Sequence, residues 1–123
     1  MNSNTVLLRQ VHPNFWQNGR VASLAFRPTP KDEKKLSLYD GDKIAPQPAH
    51  RHFTALPDCK SIGVLGVTVA ECAELDLPAI EDPEPFPEHI LLDYSAFEKK
   101  AVETKAKLLK AKAEFRGWLF GPI

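Results

Sequence analysis

Hydrophobic and polar positions divide the chain into several short extended runs and one long helical one. Thr5–Val11, TVLLRQV, is rich in aliphatic and β-branched residues and stops at His12-Pro13. The residue before a proline is held in extended geometry, so this run predicts a strand. Asn18-Gly19 predicts a turn. RVASLAF then alternates Val21, Ser23 and Ala25 against Ala22, Leu24 and Phe26, which predicts a second strand antiparallel to the first. LSLYD (Leu36–Asp40) alternates again and runs into the Asp40-Gly41-Asp42 turn. SIGVLGVTV (Ser61–Val69) is the most apolar run and predicts a buried strand. HILLDYS (His89–Ser95) predicts the last one.

Between these runs the punctuation is strong. Pro28 and Pro30 donate no ladder hydrogen bond, so RPTPKDEKK is excluded from a central strand. Pro48 suits a first helical position and predicts a short helix to Leu56. Thr68-Val69-Ala70-Glu71 has capping-box spacing and predicts a short helix covering Cys72 to Leu75. Four prolines at 78, 83, 85 and 87 predict an extended, surface-hugging link.

The clearest periodicity comes last. Ser95-Ala96-Phe97-Glu98 reads as a second capping box, and Gly117 as the stop. Between them Val102, Ala106, Leu109 and Ala113 form one helical stripe. Phe97, Ala101, Leu108 and Phe115 form a neighbouring one. Lys105 and Lys112 fall between the stripes, where a lysine stem can snorkel. The expected architecture is α+β: a mixed, mainly antiparallel sheet of four to five strands with a long C-terminal helix packed on one face.

Composition sharpens this only in part. At 123 residues, with 43% apolar and 26% charged residues, the chain fits one soluble domain, 1–123. Net charge is zero, which removes any global bias toward nucleic acid or anionic membrane. Its distribution is uneven. Residues 1–30 carry Arg9, Arg20 and Arg27 and no acid. Residues 59–98 set Lys60 against nine acids, and residues 99–123 set seven bases against Glu103 and Glu114. Internal pairing between these segments is the simplest expectation. The N-terminus has no signal-peptide pattern, and Cys59 and Cys72 read as reduced thiols, so a cytoplasmic protein is expected. No apolar run is long enough to span a membrane.

Candidate chemistry is sparse. His50 and His52 converge only on a strand, because on a helix they point about 200° apart. With that segment read as helical, no metal is expected, and no cofactor either. The two cysteines lack a Cys-x-x-Cys partner and read as structural. Asp40-Gly41-Asp42 lacks the other ligands of a calcium loop. Arg9, His12, Arg20 and Arg27 fall on two strands expected to be neighbours, and arginine suits planar phosphate or carboxylate recognition. Trp118 and Phe120, in the tail WLFGPI, either fold back on the sheet or face a partner.

RQVHPNFWQNGRVASLAFRPTPKDEKKLSLYDGD, with GVTVAEC and DPEPFPEHILLDYS, resembles a family of short bacterial proteins of unassigned function. That resemblance implies a bacterial stand-alone domain and no transferable activity. A second similarity, to small ADP-ribosyltransferase-like domains, implies Arg9 or His12 on the first strand, Ser23 on a second and Glu88 on a late one. The leading functional expectation is a protein-binding module, a subunit or regulator of a larger complex such as a toxin or defence system. The alternative is a nucleotide- or nucleic-acid-directed enzyme built on the arginine cluster. A protein partner is favoured over nucleic acid.

Overall fold

The computed structural model describes residues 1–29, 31 and 33–123. The Pro28–Pro30 link therefore reaches a residue, Pro30, outside the described ones. The main sheet has five strands, β1 (Val6–Val11), β4 (Lys35–Asp40), β5 (Gly63–Thr68), β6 (Ala79–Glu81) and β7 (His89–Asp93), ordered β5-β1-β4-β7-β6. Every neighbouring pair is antiparallel. The α+β expectation holds, and the sheet is antiparallel throughout.

The long helix α3 (Lys99–Arg116) packs on one face of this sheet. Val102, Ala106, Leu109 and Ala113 are its buried residues, as their spacing requires. They meet Leu7, Val11, Leu36, Leu38, Leu65, Val67, Ile90 and Leu92 in the larger core. The neighbouring stripe behaves differently: Leu108 is 46% and Phe115 95% exposed. Lys105 lies between the two, its Nζ 4.0 Å from the centroid of the Phe97 ring and donating to the Leu75 carbonyl at 2.6 Å. The helix begins later than its sequence implies. Ser95 N donates to Asp93 Oδ1, which spends Ser95 on a turn, and Glu98 becomes the N-cap residue without a side-chain cap. Gly117 ends the helix at φ 91°, where a side chain is strained.

The opposite face carries α1 (Pro46–Thr54) over a smaller core of Leu8, Tyr39, Ala49 and Val64. Helix α1 starts at Pro46, two residues before the expected Pro48, with Pro in the first turn either way. The Thr68–Glu71 capping box forms as expected and opens α2 (Val69–Ala73).

One expectation changes. RVASLAF does not extend into a strand beside β1. Arg20–Val21 (β3) pairs only with Trp16–Gln17 (β2), around Asn18 and Gly19, both at positive φ. Ser23–Phe26 then coils into a 3-10 turn that buries Ala25 and Phe26 beneath α3. Its carbonyls are taken by side chains: Arg9 Nε donates to Ala25 O, and Tyr94 Oη to Phe26 O. Those bonds replace the ladder that a strand would have supplied. The proline-rich link is extended as expected, and in addition Ala79–Glu81 joins the sheet as edge strand β6.

Strand β5 lies at the other edge, and the tail covers it. Val64 N donates to Phe120 O at 2.8 Å, and Leu119 N to Val64 O at 2.9 Å. The approach is close enough that a Cβ on Gly63 would lie 2.5 Å from Phe120 O. An edge strand left open invites pairing with another chain, and this one is closed from within.

Candidate functional site

Strands β1 and β4 are partners for only a short distance. Leu7 pairs with Asp40 and Leu8 with Tyr39, and the ladder then stops. Beyond it the strands part. Arg9 bridges the gap, its Nη1 donating to the Ser37 carbonyl at 3.0 Å. A cleft of about 140 Å³ opens there on the α1 side of the sheet, with Gln10, Ser37, Tyr39, Phe53, Phe86 and His89 among its lining residues.

Ser37, His89 and Asp82 form a hydrogen-bonded line along one side of this cleft. The sheet register puts them there. Ser37 pairs with Leu91 and Tyr39 with His89, so Ser37 and His89 are diagonal neighbours on one face. Glu81 pairs with Ile90, which brings Asp82 beside His89. The result spans three adjacent strands. Asp82 Oδ2 lies 3.1 Å from His89 Nδ1, and Ser37 Oγ lies 3.1 Å from His89 Nε2.

The tautomer follows from the acceptors. His89 Nδ1 faces both the Asp82 carboxylate and, also at 3.1 Å, the Asp82 main-chain carbonyl. A carbonyl only accepts, so Nδ1 carries the hydrogen and donates it. In the neutral ring Nε2 then holds the lone pair and accepts the Ser37 hydroxyl proton. His89 is buried, so its ring is largely desolvated, while Ser37 is exposed.

Phe86 closes the cleft from the proline-rich link. Its ring centroid lies 4.7 Å from that of His52, 4.9 Å from Tyr39 and 5.0 Å from His89. Tyr39 Oη stands 2.8 Å from His52 Nδ1. Burial, with smaller contributions from Cys59 and Glu88, pushes the Tyr39 hydroxyl up to about 12, so it stays protonated at neutral pH. Opposite Ser37 lies Gln10. It is 6% exposed, and neither its Nε2 nor its Oε1 has a hydrogen-bond partner within the protein.

The residues singled out from sequence go to separate places. Arg9 reaches the cleft. Arg20 stands 3.7 Å from Glu114, and Arg27 3.7 Å from Glu103, both acids of α3. His12 accepts from Asn14 N and caps the turn after β1. Trp118 packs edge-on against Trp16, and Phe120 against His50, both on the folded-back tail. His50 and His52 point to different partners, Ser61 O and Tyr39 Oη, as a helix requires. Among the described residues, no group of three or more His, Cys, Asp or Glu could hold a metal ion. Cys72 is buried, and burial, with Glu71 nearby, pushes its thiol up to about 12, which removes it as a nucleophile at neutral pH. Among the described residues, no helix is long and apolar enough to cross a membrane.

Compared with protein-family models, curated proteins and solved structures, the chain matches none.

Proposed function

We propose that the cleft is an acyl-transfer site with Ser37 as nucleophile, His89 as general base and Asp82 as the group that orients it. The observation that carries this reading is the Asp82–His89–Ser37 line with the proton fixed on Nδ1. In such an arrangement Ser37 Oγ bonds to the acyl carbon while its proton passes to His89 Nε2. Asp82 stabilises the imidazolium. His89 returns the proton to the leaving group as its bond to carbon breaks, and water then releases the acyl group from Ser37 by the same route in reverse.

Ser37 differs from nucleophiles held on a sharp turn: it sits within strand β4. Its exposure comes instead from the parting of β1 and β4. Mass spectrometry after a fluorophosphonate probe tests the reading. One adduct on Ser37 is expected, absent from Ser37→Ala and His89→Ala. On an activated ester, these variants should lose on the order of 10³-fold or more in kcat/KM. Asp82→Asn should lose only about tenfold to a hundredfold, because the Asp82 main-chain carbonyl still holds the tautomer. Labelling spread over other serines, or unchanged in His89→Ala, would sink the proposal.

A second reading is a docking module, supported by a separate surface. Leu108 and Phe115 stand exposed on α3 beside Lys107 and Lys112. The exposed apolar pair fits a protein segment that brings an apolar face of its own. Phe115→Glu should abolish capture of such a partner and leave Ser37 labelling intact.

A further inference from the structure

Gln10 is the one side chain of the cleft whose polar chemistry the fold leaves unused. Among the described residues, only three buried side-chain atoms lack a hydrogen-bond partner: its Nε2, its Oε1 and Asp40 Oδ2. Asp40 at least uses its other oxygen, which accepts from Asp42 N. In Gln10 both ends of the amide are idle. Buried polar groups are otherwise paired almost without exception, because each orphan carries its full desolvation cost.

The position of this orphan gives it a purpose. Continuing the register Leu7↔Asp40 and Leu8↔Tyr39 places Gln10 across from Ser37. Strand periodicity puts Gln10 on the same face as Leu8, and Ser37 on the same face as Tyr39. Leu8 and Tyr39 belong to one cluster, on the α1 side. Gln10 therefore lies on the same face as the Ser37–His89 pair, across the cleft from it and among the cleft's lining residues, with its idle amide buried in that wall.

We infer that Gln10 reads a planar amide edge, and that the ligands of this cleft are small cyclic amides and imides. An amide side chain offers a donor and an acceptor side by side. The partner that satisfies both is a carbonyl next to an N–H in the cis arrangement that a lactam or imide ring enforces. Its C=O accepts from Nε2, and its N–H donates to Oε1. An ester or an N-alkylated ring presents no such hydrogen. The walls fit a flat ring, since Tyr39, Phe53 and Phe86 supply aromatic surface. The size also fits: an engineered cavity of about 150 Å³ holds benzene, and this cleft measures about 140 Å³.

For the chemistry, this inference rests on the acyl-transfer reading of Ser37. Ser37 Oγ would add to the ring carbonyl held by Nε2, so that the Gln10 N–H meets the developing oxyanion. The ring C–N bond breaks, and the nitrogen takes the proton from His89 Nε2. Water then cleaves the Ser37 ester. The net change is ring opening by one water, giving a carboxylate and an amine or a carboxamide. No oxidant or cofactor enters.

Glutarimide is the probe. Titrated into ¹⁵N-labelled protein, it should shift the Gln10 side-chain amide and the amides of Ser37 and Tyr39. N-methylglutarimide, which lacks the donor, should bind on the order of tenfold or more weakly. Gln10→Met should bring the two ligands to equal affinity. Equal binding of both ligands by the unmodified protein would overturn the inference, whether or not the Met variant folds. So would the absence of any glutarimide shift at Gln10. Ser37→Ala separates the two proposals. Retained glutarimide binding by that variant, without probe labelling or ring opening by the parent, leaves the amide reading standing and removes the acyl-transfer one. Ser37 labelling without glutarimide binding does the reverse.

Discussion

Tyr94 and Gln10 are both nine-tenths or more buried, and they treat their polar atoms in opposite ways. Tyr94 spends its hydroxyl on the Phe26 carbonyl at 2.5 Å, and burial, the largest influence on it, pushes that hydroxyl above its usual range. This bond holds the 3-10 turn under α3. Tyr94→Phe orphans a buried carbonyl and is expected to cost about 1–3 kcal/mol, read from urea denaturation with an unchanged slope. Gln10 makes no bond within the fold, so its amide remains for a ligand. Little of this was legible in the sequence. The alternation of LSLYD does place Ser37 and Tyr39 on one face, and HILLDYS places His89 at a strand start. Whether Ser37 meets His89, and whether Asp82 meets either, depends on the register between strands far apart in the chain. Alternation within one strand carries no register. A guanidinium marks its binding chemistry in the sequence itself, whereas a serine in a strand acquires its own only from the neighbours that the register supplies.

At the scale of elements, the periodic signal was dependable where one face alone was buried. Helix α3 is the case: of its two apolar stripes, the one through Leu109 is buried and the one through Phe115 is not. Sequence could not separate them, because both have helical spacing and only the sheet decides which faces inward. Leu109→Ala should therefore cost about 2–5 kcal/mol, and Phe115→Ala stay within about 0.5 kcal/mol, in the same denaturation assay. RVASLAF failed for a related reason. Seven residues carry too little pattern to tell period two from a tight coil, and Val21, Ala25 and Phe26 satisfy the latter. The four prolines of the link 78–88 imply an extended, surface-hugging course, and that reading alone does not show which stretch pairs with the sheet. Prolines bar a central strand but not an edge one, and β6 is an edge strand.

For the whole molecule, the uneven charge along the chain closes on itself, through acids other than the nearest in sequence. Arg20 and Arg27 reach α3, and Arg116 makes a two-pronged contact with Glu71 at 3.0 Å while also donating to Gly66 O. That last contact ties the end of α3 to α2 and β5. Burial pulls the Glu71 carboxyl upward. The hydrogen bonds from Arg116 and from Thr68 N, with the charges of Arg116 and Lys112, outweigh it and leave the group below its usual range. A carboxylate lowered in the folded state adds stability above its unfolded value, about 4.3, and loses it as pH falls through the folded value. Glu71→Gln should accordingly lower stability at pH 7 and flatten its decline below about pH 4, as followed by thermal unfolding.

The short pairing of β1 with β4 has a mechanical meaning. Strands β5 and β1 form one leaf, and β4, β7 and β6 another, joined at Leu7–Asp40 and Leu8–Tyr39 like the spine of a book. Asp82, His89 and Ser37 all ride on the second leaf, so the geometry of the relay is set within that leaf alone. Gln10 rides on the first. A molecule gripped by both Gln10 and Ser37 is a rivet through the two covers, and its arrival fastens the fold as well as filling the cleft.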